Sequence, residues 1–196
     1  MARTEQILVV KRDVLFSKTS AWLGVKKGLM SDFQELITQH QEFHPRDQME
    51  TDFTYKQIIP YLIFCHDDRY FVMQRSDNAS EQRLKGKYSL GIGGHIRKED
   101  LQGITIADWA RREFCEEIEY NGNFSVEPIG VLNDDTDDVG KVHIGLVLLL
   151  KGDSDDIKIR SELKSGSLMT KKECKDLLLS MESWSAHIVH DLWSKE

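Results

Sequence analysis

The sequence predicts an α+β domain, and three observations carry that reading. Short apolar segments recur at Ile7–Val10, Lys56–Cys65, Tyr70–Arg75, Phe124–Leu132 and Val142–Leu150, each of strand length and each bounded by polar residues. A single segment of helical period, about Ile106 to Ile118, stands among them. Two further helical patterns close the chain after Thr170, so strands and helices are grouped rather than alternating. At 196 residues, 40% hydrophobic and 30% charged, the chain is long enough for one core and has ordinary globular composition.

In chain order, Ile7–Val10 and Val14–Phe16 predict two short strands joined at Lys11-Arg12-Asp13. Ser31 with Gln34 forms a capping-box pattern ahead of Phe33, Leu36, Ile37 and His40 at helical spacing. Glu42 to Asp52 is polar, contains Pro45 and reads as a connector. Residues 1–50 are thus expected to form an N-terminal extension, strand pair plus helix, ahead of a domain over 51–196. Pro60 inside Lys56–Cys65 argues for an edge or a bulge. His66-Asp67-Asp68-Arg69 supplies a hairpin turn. Ser76–Lys87 is a polar loop whose Arg83, Lys85 and Lys87 are either solvated or an anion-steering rim, with Arg75 before it a similar candidate. Tyr88–Ile92 leads into Gly93-Gly94-His95. Thr105 is placed to cap the central helix, with Asp108 favourable in its first turn. Ile157–Leu163 reads as the last strand. Thr170 with Glu173 forms another capping box, and Ser183 opens a final helix with Trp184, Ile188 and Leu192 as its packed stripe.

Charge and cysteine usage narrow the function. The net charge of −7 leaves no basic excess to neutralise a nucleic-acid backbone, although a small phosphorylated ligand remains open. Cys65, Cys115 and Cys174 are scattered and show no paired spacing, as expected of reduced thiols in a cytoplasmic protein. The runs Ile7–Val10 and Ile144–Leu150 are too short for a secretory segment or a membrane span.

The chemistry concentrates in Arg112-Glu113-Phe114-Cys115-Glu116-Glu117. On a helix Glu113, Glu116 and Glu117 fall at i, i+3 and i+4 and project together, while Ala107, Ala110, Phe114 and Ile118 form an apolar stripe. Three clustered carboxylates repel one another and call for a counter-charge, most simply a hard divalent cation. Glycines upstream allow backbone to approach a phosphate. His95 could touch substrate or metal, a phosphate contact or a structural role being favoured because magnesium prefers oxygen. Asp134, Asp135, Asp137 and Asp138 form either a solvated loop or a further cation site. Phe53, Tyr55, Tyr88 and Trp109 either pack or stack a base.

These residues resemble the Nudix hydrolase family, whose signature is G-x5-E-x7-R-E-U-x-E-E-x-G-U with U apolar. Gly94 matches the first Gly, Arg112 to Glu117 match R-E-U-x-E-E, and Tyr120 takes the last apolar place. Three positions depart. Gly94 to Arg112 spans 18 positions against 14, an insertion of four. The early Glu falls on Asp100 counted forward or Ile104 counted back, and the late Gly is Glu119, with Asn121-Gly122 following.

The resemblance covers about residues 55 to 195 and implies an α/β/α sandwich with a mixed sheet. It implies a pyrophosphohydrolase that cleaves a nucleoside diphosphate linked to another group with Mg2+ or Mn2+. The implied metal ligands are Glu113, Glu116 and Glu117, with Arg112 orienting them, most simply through Glu113. Gly93, Gly94, His95 and Arg75 are the expected substrate contacts. Glu116 and Glu117 are candidates for the general base within the cluster, and Glu162 is an outside candidate. A small phosphorylated partner is expected, with a possible homodimer and no membrane. The alternative is a non-catalytic nucleotide- or ADP-ribose-sensing domain.

Overall fold

The computed structural model describes residues 5–75, 86–101, 105–160 and 163–193. It is α+β with a mixed sheet. The chain divides into two compact units: Met1–Tyr61, Gly93–Trp109 and Pro128–Val147 form one, and Leu62–Ile92, Ala110–Glu127 and Leu148–Glu196 the other.

In the first unit β1 (Gln6–Lys11) is followed by a helical turn, α1 (Arg12–Leu15). Then come β2 (Gly24–Lys26), α2 (Met30–His40), β3 (Glu42–Pro45) and α3 (Arg46–Met49). Strand β4 (Tyr55–His66) starts here and ends in the second unit. Strand β1 lies between β3 and the start of β4, antiparallel to both. This explains its unbroken Ile-Leu-Val-Val run: both faces are buried, with Ile7, Val9 and Val10 at 0% exposure. Phe33, Leu36 and Ile37 are buried on α2 as their spacing predicts.

Three expectations fail in this region. Val14–Phe16 is not a strand; Asp13 accepts the Val14 N–H at 2.9 Å and Leu15 is driven inside by the helical turn. Ser31 does not cap α2, which begins at Met30 with no side-chain cap. Glu42 to Asp52 is not a plain connector, because β3 and α3 lie within it. The polar sequence of β3 hid it: Glu42 and His44, two apart on one face, bond each other at 2.8 Å.

In the second unit Asp67 and Asp68 both take positive φ, 47° and 58°, as a two-residue hairpin turn into β5 (Arg69–Arg75) requires. The remaining elements alternate between the units along the chain: β6 (Tyr88–Ser89), β7 (Gly91–Gly93), a 3-10 turn at Lys98–Leu101 that belongs to the first unit, and α4 (Ile106–Glu117). Next are β8 (Ile118–Tyr120), β9 (Phe124–Asn133), α5 (Asp138–Val142), β10 (His143–Gly152), β11 (Ile157–Ile159) and β12 (Leu163–Thr170). The chain closes with α6 (Lys171–Asp176), a 3-10 turn at Leu178–Ser180 and α7 (Ser183–Trp193).

Strand β4 has β5 and β10 as neighbours, so Pro60 lies in an interior strand rather than at an edge. Lys56 meets His143 O at one end of β4 and His66 meets Gly152 O at the other, so β4 and β10 run in the same direction. The other ladders with printed register are antiparallel, which makes the sheet mixed.

The predicted strand Ile157–Leu163 stops at Ile159, and β12 follows as an unpredicted one. Its Ser-Gly-Ser centre has no strand-like pattern, and pairing with β5 sets it. The Thr170–Glu173 capping box forms as read. On α7 Ile188 is buried as expected, joined by Ser185, Val189 and Trp193, whereas Trp184 and Leu192 are only half-buried. The loop with Arg83 and Lys85, the end of the insertion at 102–104, and Glu162 lie outside the described residues.

Candidate functional site

Helix α4 is fixed at its start by a reciprocal cap: Thr105 N donates to Asp108 Oδ2 at 3.0 Å, and Asp108 N donates to Thr105 Oγ1 at 3.1 Å. Along the helix the apolar stripe anchors it. Phe114, 1% exposed, stacks on Phe64 at 5.5 Å and meets Phe124 edge-on at 5.3 Å. Arg111 covers the Phe124 ring at 4.9 Å and donates to Phe124 O at 3.0 Å. These contacts hold the helix from rolling, so the acidic edge keeps its direction.

On that edge Arg112 Nη1 donates to Glu116 Oε1 at 2.7 Å, one helical turn away. The sequence pointed to Glu113 as the partner; Glu116 is one that the structure provides. Glu113 and Glu117 are half-buried, and Glu116 is exposed. Among the described residues no three His, Cys, Asp or Glu side chains converge as a metal site would require. The donor set nevertheless fits a hard cation in kind, being three carboxylates within about one turn with no sulfur or nitrogen ligand among them.

The glycine–histidine segment belongs to the first unit. A Cβ on Gly93 would lie 3.0 Å from Ile59 Cγ2 and 3.2 Å from Tyr61 Cδ2, so any larger residue here would have to push these β4 side chains aside by a few tenths of an ångström. His95, two residues on, sends Nε2 to Gln57 Oε1 at 2.6 Å and lies 3.4 Å from His143 Nε2. Gln57, fully buried, donates its own Nε2 to Met49 O at 3.1 Å. His143 Nδ1 meets Val139 O at 2.7 Å. Burial pushes the His95 imidazole down to about 3, with Arg46 and His143 adding to the effect, so the ring is neutral. Asp100 is engaged by Arg97 at 2.8 Å and by Trp109 Nε1 at 3.3 Å, and Trp109 is fully buried, a packing role for both.

The acidic stretch after β9 is solvated only in part, at Thr136, Asp137 and Asp138, and forms no cation-holding cluster among the described residues. Asp134 is buried, Asp137 caps α5 by accepting Gly140 N at 2.7 Å, and Asp138 pairs with Lys141. Asp135 is the hub: it takes Arg12 through both terminal nitrogens and Lys56 Nζ at 2.7 Å. Lys56 is 0% exposed and spends its remaining donors on Gly140 O and His143 O, at 2.8 and 3.0 Å. Burial would raise the Asp135 carboxyl, but hydrogen bonds from Arg12, Lys56 and Asn133 outweigh it and hold the group well below the usual carboxylate range. Beside this cluster a cleft of about 720 Å3 is lined by Lys11, Arg12, Phe16, Phe53 and Tyr55, with Phe53 46% exposed.

Of the residues singled out from sequence, Arg112 and Glu116 are brought together, and His95 is tied to Gln57 and His143. Arg75 ends β5, and its side chain lies outside the described residues. The sequence reading missed Arg12, Gln57 and Lys56. A lysine and a glutamine at the head of an otherwise apolar strand are the signal that could have found the last two.

No family model matches the chain. Protein YmaB of Bacillus subtilis is 32% identical over 200 residues, spanning 94% of this chain and 96% of that protein. The crystal structure of Tm1382, a candidate Nudix hydrolase, superposes with a TM-score of 0.82 at 30% identity, over 98% of this chain and 100% of that one. A bifunctional NMN adenylyltransferase/ADP ribose pyrophosphatase from Francisella tularensis, solved with AMP and a Mn ion, has a TM-score of 0.52 at 16% identity, over 83% of this chain and 49% of that one. The fold and the likeness to Tm1382 define a Nudix-type hydrolase class. The chain belongs to the Nudix hydrolase family.

Proposed function

We propose that this protein hydrolyses, with a divalent metal, the diphosphate bond joining a nucleoside diphosphate to another group. The supporting observation is the acidic edge of α4: an Arg112–Glu116 pair on a helix whose other face is pinned by Phe114. Glu113, Glu116 and Glu117 would hold Mg2+ or Mn2+, which when bound offsets the anionic charge that otherwise repels a nucleophile from a diphosphate. Arg112 holds Glu116 in place through its charge-assisted hydrogen bond. The backbone at Gly93 and Gly94 would approach the substrate, and His95 would contact it. The Mn ion and ADP ribose pyrophosphatase activity of the Francisella tularensis protein agree with this reading.

The test is a panel of nucleotide sugars, dinucleotides and ADP-ribose, assayed with each metal for phosphate-containing products. Glu116→Gln and Glu117→Gln, checked for an intact fold by circular dichroism, should each lower turnover by orders of magnitude. Wild-type-like activity in both variants would remove the metal-ligand assignment. Tight ADP-ribose binding without turnover would instead establish a sensor.

A further inference from the structure

We propose that Gln57 and His143 lock His95 as the Nε2–H tautomer, so that His95 offers the site a neutral imidazole whose Nδ1 takes an O–H or N–H donor of the substrate rather than a phosphate oxygen. The logic runs inward from two backbone carbonyls. Met49 O can only accept, so the Gln57 nitrogen faces it and Gln57 Oε1 must be the atom turned toward His95. Turning the amide over would set two oxygens against each other at 3.1 Å. An oxygen acceptor 2.6 Å from His95 Nε2 requires the proton on that nitrogen. Val139 O likewise requires the proton of His143 on Nδ1, which leaves His143 Nε2 bare and able to share the His95 proton from 3.4 Å.

A histidine with one proton, already committed at Nε2, has an unprotonated Nδ1. That atom has no hydrogen bond to the described residues, and the ring is only partly buried. Arg46 and the titratable His143, which act on the ring, both oppose a second proton. A phosphate oxygen is itself an acceptor and gains nothing from a bare nitrogen. A hydroxyl, such as that of a sugar, or an amide does. Gln57 and His143 are therefore positioning residues that act through His95. The identity of the donor as a substrate group rests on the hydrolase reading; the tautomer does not.

Two-bond 1H–15N correlation spectra of the full-length 15N-labelled protein at neutral pH, assigned with a His95→Gln variant, test the lock. The expected result is a protonated Nε2 and a bare Nδ1 on His95. Gln57→Met preserves side-chain length and removes the acceptor, so the His95 proton should spread over both ring nitrogens. With a substrate turned over in the panel, that variant should raise KM several-fold while kcat changes far less. A protonated Nδ1 or a mixture of tautomers in the wild type overturns the lock. An unchanged KM in Gln57→Met, with both tautomers present, overturns the substrate contact. The expected tautomer in a protein inactive on every panel member would refute the hydrolase reading and leave the lock standing.

Discussion

Replacing Asp135 with Asn should destabilise the first unit strongly. The carboxylate is the common counter-charge of Arg12 and Lys56, with Lys56 at 0% and Asp135 at 27% exposure. Asn keeps the shape, removes the charge and turns an N–H2 toward one of the two cations. Breaking a buried pair and stranding its partner costs about 3–5 kcal/mol. The partial exposure of Asp135 and Arg12, 27% and 30%, places this case at the low end. The expected loss is thus about 3 kcal/mol, which for a chain of this length lowers Tm by roughly 6–12 °C. Urea titration and calorimetry of the wild type, Asp135→Asn, Lys56→Met and the double variant would measure it. The double variant should lose clearly less than the sum of the singles, because the stranded charge is gone. A loss below about 1 kcal/mol in Asp135→Asn, the range of an exposed pair, would refute the reasoning.

Two further outcomes follow from the same contacts. Phe114→Ala removes the ring stacked on Phe64 and should cost about 3–5 kcal/mol by denaturant titration, far more than Cys115→Ala on the exposed neighbour. Burial pushes the Lys56 ammonium from 10.5 down to about 8, against the opposing pull of Asp135. The unfolded chain therefore binds more protons than the folded one between those values, and the contribution of Lys56 to stability rises with pH across that window. Stability measured from pH 8 upward should show the wild type gaining relative to Lys56→Met; parallel curves would contradict the assignment.

What could be read in the chain was what has a short period. The apolar run of β10, the helix α4 with its Thr105 cap, and the Thr170 capping box depend on neighbours within about one turn or on alternating faces. The acidic edge was legible for the same reason. Elements fixed by distant partners were not. Strand β3 is polar and owes its form to β1, and β12 owes its form to β5. Val14–Phe16 looks like a strand until Leu15 is seen to be buried by a helical turn. At the site, His95 meets Gln57 from 38 residues away and His143 from 48, so no local pattern could join them. The aspartates after β9 read as one acidic loop because their cations, Arg12 and Lys56, lie in other parts of the sequence.

The Arg12–Asp135 contact spans 123 residues and Lys56–Asp135 spans 79. Closing such loops costs chain entropy that is repaid only when both ends have arrived, so the cluster is expected to form late in folding. An interaction absent from the transition state acts on the unfolding rate, not the folding rate. The pair is thus expected to act as a latch, with Asp135→Asn speeding unfolding far more than it slows folding.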